Sequence, residues 1–209
     1  MLLIPGALAS AILMPVVGAL MGKIDARIAI GFGSVLVGIS MYMLSFINID
    51  TNVYTIFWPL IISGAGMGFM FIPLSIATLG AIPRKDIPAA SGFFNLTRQM
   101  GGSIGVAMLA TILEQRQVFH YGRLAENISI YNPASQQFLS QVQSGMMAKG
   151  YDAITAQSMS LAVTERITQL QAMVLSFEDV YMVVAWVFIC TLPLIFFLGK
   201  GAKATRPGM

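Results

Sequence analysis

The feature that most constrains this chain is the length of its uncharged runs. No Asp, Glu, Lys or Arg occurs in residues 1–22, 28–49, 51–83, 99–113 or 180–199. About 20 residues rising 1.5 Å each cross the hydrocarbon of a bilayer, so an apolar run of about 18 or more reads as a membrane span. Composition excludes the alternative of a large apolar soluble core. The chain is 56% hydrophobic and 10% charged, against about 25% charged residues in soluble domains, and so few charges cannot cover a soluble surface.

The expected fold class is therefore an all-α membrane protein with five transmembrane helices, at about 2–21, 28–47, 55–80, 88–113 and 176–199. Polar turns separate them: Lys23-Ile-Asp-Ala-Arg27, Asn48-Ile-Asp-Thr-Asn52 and Pro83-Arg-Lys-Asp86. Asp86 is placed to cap the fourth helix, with Pro88 in its first turn. Ser176-Phe-Glu-Asp179 reads as a capping box that starts the fifth.

Residues 114–175 form a long loop before the last span, and 200–209 a tail. Within the loop, Asn132-Pro133 reads as a turn, and Asp152 is placed to cap an amphipathic helix over about 153–175. Ala156, Met159, Val163, Ile167, Leu170 and Val174 recur on it at helical spacing and predict its apolar face. That face either packs on neighbouring loop segments, rests on the membrane surface, or docks a partner outside the membrane.

The basic residues set the orientation. With 23–27 cytoplasmic, Lys23, Arg27, Arg84, Lys85, Lys200, Lys203 and Arg206 share one side, and the short loop at 48–54 on the other has none. Cytoplasmic loops carry the excess of Lys and Arg, so the carboxyl terminus is expected in the cytoplasm. The first helix then starts outside with no basic leader, which suggests that Met1 is not the start of the complete protein. The formal charge of +3 is dispersed between spans, so no nucleic-acid partner is expected. Cys190 lies within the last apolar run as a packing residue, and His120 has no companions at metal-ligand spacing. No convergent nucleophile, base or metal set is visible at one depth, so neither catalysis nor a cofactor is expected.

Two patterns within the spans carry the functional reading. Small residues recur four apart at Gly18/Gly22, Ser34/Gly38, Gly64/Gly68 and Gly101/Gly105, a spacing that lets helix backbones approach closely in lipid. Such faces are either fixed packing scaffold or smooth surfaces that slide between conformations. The second pattern is Arg98 in Asn95-Leu-Thr-Arg-Gln99. A guanidinium at that depth costs about 2.5 kcal/mol or more facing lipid. It either snorkels to the cytoplasmic surface or joins Asn95 and Gln99 on a polar interior face. No acidic residue lies in the interior of the five spans.

Three stretches bear a family resemblance. They are Met14-Pro-Val-Val-Gly18 with Gly22-Lys-Ile-Asp-Ala-Arg27, Gly64-Ala-Gly-Met-Gly68 leading to Phe71-Ile-Pro-Leu74, and Ala89-Ala-Ser-Gly-Phe-Phe-Asn-Leu-Thr-Arg-Gln-Met-Gly-Gly-Ser-Ile-Gly105. With them the whole chain resembles the last five helices of the fourteen-helix drug:proton antiporters, the EmrB/QacA branch of the major facilitator superfamily. Gly18, Gly22, Lys23, Asp25 and Arg27 match the second copy of the family's cytoplasmic loop motif. Gly22-Lys23 stands where the motif has Asp-Arg, and Asp25 takes a glycine position, so the latching carboxylate is either displaced or absent.

The resemblance implies multidrug efflux across the bacterial inner membrane, driven by the proton gradient. Small hydrophobic, often cationic compounds would be exported by alternating access. It implies as partners the membrane lipid, the family's amino-terminal helices, and a periplasmic adaptor with an outer-membrane channel at the long loop. Roughly the first nine helices of the family are not in this sequence, so a fragment inactive on its own is expected. A non-functional remnant and an independent small oligomeric channel share the same features.

Overall fold

The computed structural model describes residues 4–21, 24–48, 51–80, 82–127 and 133–197. Their regular structure is helical: α1 Ile4–Leu20, α2 Ala26–Leu44, α3 Val53–Leu79, α4 Ile87–Asn127, α5 Pro133–Ala148 and α6 Ala153–Phe197, with a single 3-10 turn at Arg84–Asp86. Three helices, within 26–44, 54–79 and 153–195, are long and apolar enough to cross a membrane, and Ile4–Leu20 is a shorter apolar helix. The chain is an all-α membrane protein. Gly22, Lys23, Asn132 and the expected tail 200–209 lie outside the described residues.

The chain divides into two compact units, residues 1–109 with 180–209, and residues 110–179. In the first, α3 packs against both α1 and α2. The α2–α3 crossing is built on glycine. A Cβ on Gly33 would stand 2.7 Å from the Gly66 carbonyl oxygen, and one on Gly66 2.8 Å from that of Gly33. With no side chain at either position the backbones meet directly, which is how helices gain attraction where lipid removes the hydrophobic drive. Around the crossing, Phe32 meets Phe69 edge to face at 5.2 Å. Ser40, fully buried, donates to the Pro59 carbonyl oxygen at 2.6 Å, which satisfies a hydroxyl that hydrocarbon would leave bare. Elsewhere on α2, a Cβ on Gly38 would come within van der Waals range of Ala185, Phe188 and Ile189 of α6.

In the second unit, α5 ends at Ala148, and the turn after it closes on Gly150, whose φ of 95° is the left-handed conformation that favours glycine. Asp152 then caps α6, its Oδ2 accepting from the Thr155 N–H at 3.1 Å. Two expectations are corrected here. Ser176 does not start a helix: α6 is continuous from Ala153 to Phe197, and the Ser176 hydroxyl donates to the Ala172 carbonyl one turn back, at 2.6 Å. Nothing in 153–192 breaks a helix, since the stretch holds neither Gly nor Pro, so the ladder passes through the candidate cap.

Over 153–176 the buried face of α6 only partly matches the apolar set expected. Ala156 is buried and Met159, Val163 and Val174 are half-buried, but Ile167 and Leu170 are exposed, and Ser160, Thr168, Ala172 and Ser176 are buried instead. The hydroxyls on that stripe bond carbonyls of their own helix, so small polar residues go inside without unpaired groups. Likewise α4 runs on to Asn127, because Glu114 and Arg116 end an apolar run without ending a helix.

Candidate functional site

Between Asp86 and Glu114, Arg98 is the one charged residue, and the structure places it with Asn95 and Gln99 on exposed positions of α4. Its guanidinium carbon lies 5.1 Å from the centre of the Phe71 ring on α3. That is a cation–π contact, worth about 0.5–2 kcal/mol depending on desolvation. The contact joins two grooved surfaces. Phe71 also lines a groove of about 350 Å³ between α1 and α3, with Ser10, Met14, Ser63, Gly64 and Met67 among its walls.

On α4, Asn95, Leu96, Gln99, Met100, Ser103 and Ile104 border a shallow depression of about 570 Å³. A second, of about 600 Å³, is bordered by Arg98, Gln99, Gly102, Ser103, Val106 and Ala107. Gln99 and Ser103 belong to both depressions, and the Ser103 hydroxyl is turned back onto the Gln99 carbonyl at 3.0 Å. The face is therefore mixed: amides and a guanidinium interleaved with Leu96, Met100, Ile104 and Val106. Chemically it can contact an amphiphilic molecule through both kinds of group.

The glycines singled out from their spacing separate into two behaviours. Gly64 is pressed against the backbone of Gly6 on α1, leaving no room for a Cβ, whereas a Cβ on Gly68 would make ordinary contact with Leu13 at 3.8 Å. A Cβ on Gly101 or Gly105 would meet nothing within 4 Å, and the same holds for Gly92, Gly102 and Gly18. Gly6, Gly33 and Gly66, where a Cβ would also stand under 3 Å from a neighbouring helix, carry no four-residue glycine pair within one helix. The signal that could have found Gly33 and Gly66 is Gly31-Phe-Gly33 against Gly64-Ala-Gly66, two glycine-dense stretches on neighbouring helices.

Of the loop-motif residues, Asp25 precedes α2 without a side-chain capping bond. Arg27 has a buried Nε with no hydrogen-bond partner among the described residues.

A separate polar cluster lies in the 110–179 unit. His120 Nε2 is 2.8 Å from Asp179 Oδ2, and Arg116 Nε is 3.6 Å from the same oxygen. Fifty-nine residues separate His120 from Asp179, so no local spacing signals the pair.

Comparison with known proteins places these features in a family context. No family model matches the chain, and no solved structure matches it. Over 189 residues it is 28% identical to the multidrug export protein EmrB of Escherichia coli K12, covering 89% of this chain and 35% of that protein. The colistin resistance protein EmrB of Acinetobacter baumannii is 26% identical over 189 residues, covering 90% of this chain and 36% of its own length. The fatty acid resistance protein FarB of Neisseria gonorrhoeae is 24% identical over 183 residues, 88% of this chain and 34% of that protein. The chain thus spans about a third of the length of the curated relatives it matches.

Proposed function

We propose that this chain, a relative of the EmrB-type drug exporters of the major facilitator superfamily, supplies one wall of a multidrug efflux pathway. The observation that carries the reading is the open face of α4. As the fourth expected span, α4 would turn toward lipid an arginine, two amides and glycines with open space around them, a face poorly suited to it. The polar groups find suitable surroundings against a wet cavity or a second helical bundle. The wall would face helices equivalent to the part of the relatives that this chain does not cover, with substrate held near the midplane between the two and access alternating by rocking.

In this reading the substrates are small hydrophobic, often cationic compounds. The driving force is the proton gradient rather than a cofactor. The interior of the expected spans holds no carboxylate, so the proton acceptor belongs to the complementary helices. The membrane is the bacterial inner membrane, with the carboxyl terminus in the cytoplasm and the long loop of residues 114–175 outside, where a periplasmic adaptor leading to an outer-membrane channel would reach it.

The test is accumulation of a fluorescent cationic dye in cells lacking their own pumps. This chain alone should insert and leave accumulation unchanged, with or without the proton gradient. Co-expression with the complementary helices of a relative should lower accumulation in a gradient-dependent way, because association in lipid comes from close packing rather than chain connectivity. No efflux in the pair favours an inactive remnant. Gradient-dependent efflux by this chain alone contradicts the one-wall reading and favours a self-assembling small transporter or channel.

A further inference from the structure

The face of α4 leaves one ionisable cluster unused, the His120–Asp179 pair of the 110–179 unit. We propose that His120 and Asp179 form a proton-operated clasp that fastens the distal part of α4 to α6. It joins elements far apart in sequence through a 2.8 Å contact between Nε2 and Oδ2. Both side chains keep a path to water, at 20% and 35% exposure, so protons can reach the pair.

On α4, Arg116 shares the same carboxylate oxygen at 3.6 Å, and Arg123 lies over the Phe119 ring at 5.3 Å. On α6, Glu178 is close enough to feel the charge of both His120 and Asp179. Helix α5 carries no ionisable side chain.

The switch follows from the chemistry of the two forms. A neutral imidazole offers the Asp179 carboxylate a single hydrogen bond, and only in the tautomer that carries its proton on Nε2. The imidazolium donates from Nε2 without any tautomer requirement and adds its own positive charge, turning the bond into an ion pair. Histidine is the side chain whose ordinary titration falls between about pH 5 and 8. Acidification on the side holding this unit therefore fastens α4 to α6, and alkalinisation loosens them. The clasp goes beyond the transport reading and does not depend on it.

The experiment is hydrogen–deuterium exchange on the full chain in lipid nanodiscs, following peptides covering 114–124 and 174–182 at pH 5.5 and 7.5, with rates corrected for intrinsic pH dependence. The wild type should exchange about threefold or more slowly at pH 5.5 than at 7.5. His120→Lys, charged at both values, should remove the pH dependence with protection retained. His120→Gln should remove it with protection lowered, and Asp179→Asn should match His120→Gln. A wild-type ratio near one, or a ratio that survives in both His120 variants, overturns the clasp.

Discussion

Helices α3 and α4 are both glycine-rich, and they use their glycines in opposite ways. On α3, Gly64 and Gly66 are filled by the backbones of α1 and α2, so closely that no side chain fits. On α4, Gly92, Gly101, Gly102 and Gly105 face open space. The same residue type at similar spacing is packing scaffold in one helix and a bare surface in the other. Spacing identifies a smooth face; what occupies it depends on helices that the spacing does not reveal. The difference separates residues that hold this chain together from residues available to something outside it.

The comparison breaks most visibly at the α2–α3 crossing. Gly66→Val places branched carbons where Val37 Cγ2 is already 2.7 Å and the Gly33 carbonyl 2.8 Å from a Cβ. Overpacking costs about 1–3 kcal/mol, and a backbone oxygen cannot swing aside as a side chain can, so the upper end is expected in a detergent-denaturation titration. Gly101→Ala in the same assay should be neutral, or stabilising by up to about 1 kcal/mol through helix propensity. Equal losses at the two sites contradict the division between filled and open glycines.

Arg98 sharpens the other side of the comparison. In a full-length transporter carrying this sequence, Arg98→Ala should abolish dye efflux at near-normal membrane abundance. Arg98→Lys should restore little, because a planar guanidinium stacks on Phe71 and holds several partners where an ammonium is a point charge. Full transport by the Lys variant identifies Arg98 as a snorkelling anchor instead.

The smallest effect is expected at the start of α6, away from both faces. Side-chain and backbone hydrogen bonds with Thr155 hold the Asp152 carboxyl below its ordinary value of 3.8. A carboxylate whose value is depressed in the folded chain stabilises it above the unfolded value, and that support disappears as pH falls through the folded one. Exchange at amides 153–156, corrected for intrinsic rates, should rise only in that acid window, and Asp152→Asn should flatten the dependence. No change across the window would show that the cap is not holding the helix start.

The membrane class was legible because charge is so costly in hydrocarbon that its absence over 20 residues leaves few alternatives. Helix ends were less legible. Charges at 114–116 mark where an apolar run stops, but the backbone ladder of α4 continues to Asn127. Ser176-Phe-Glu-Asp179 has the composition of a cap, and a mid-helix serine that bonds its own i−4 carbonyl looks the same in sequence. The α6 face was legible only in part, because small size rather than hydrophobicity admits Ser160, Thr168 and Ser176 to the buried stripe beside Ala156 and Ala172. At the candidate site, Asn95, Arg98 and Gln99 stood out as polar residues in an apolar helix. Phe71 beneath the guanidinium and Asp179 beside His120 did not, since both contacts are set by tertiary structure.

Gly102 tests most directly whether the open face of α4 serves transport rather than folding. It borders the depression beside Arg98, and a Cβ there meets nothing within 4 Å. In a full-length transporter carrying this sequence, Gly102→Leu should leave membrane abundance and detergent stability within about 0.5 kcal/mol of the parent, as expected for a substitution away from packed groups. Dye accumulation should nevertheless rise to the level of cells without the transporter. Undiminished efflux at normal abundance would contradict the account, because the bare face of α4 would then be surface that neither the fold nor the transport pathway uses.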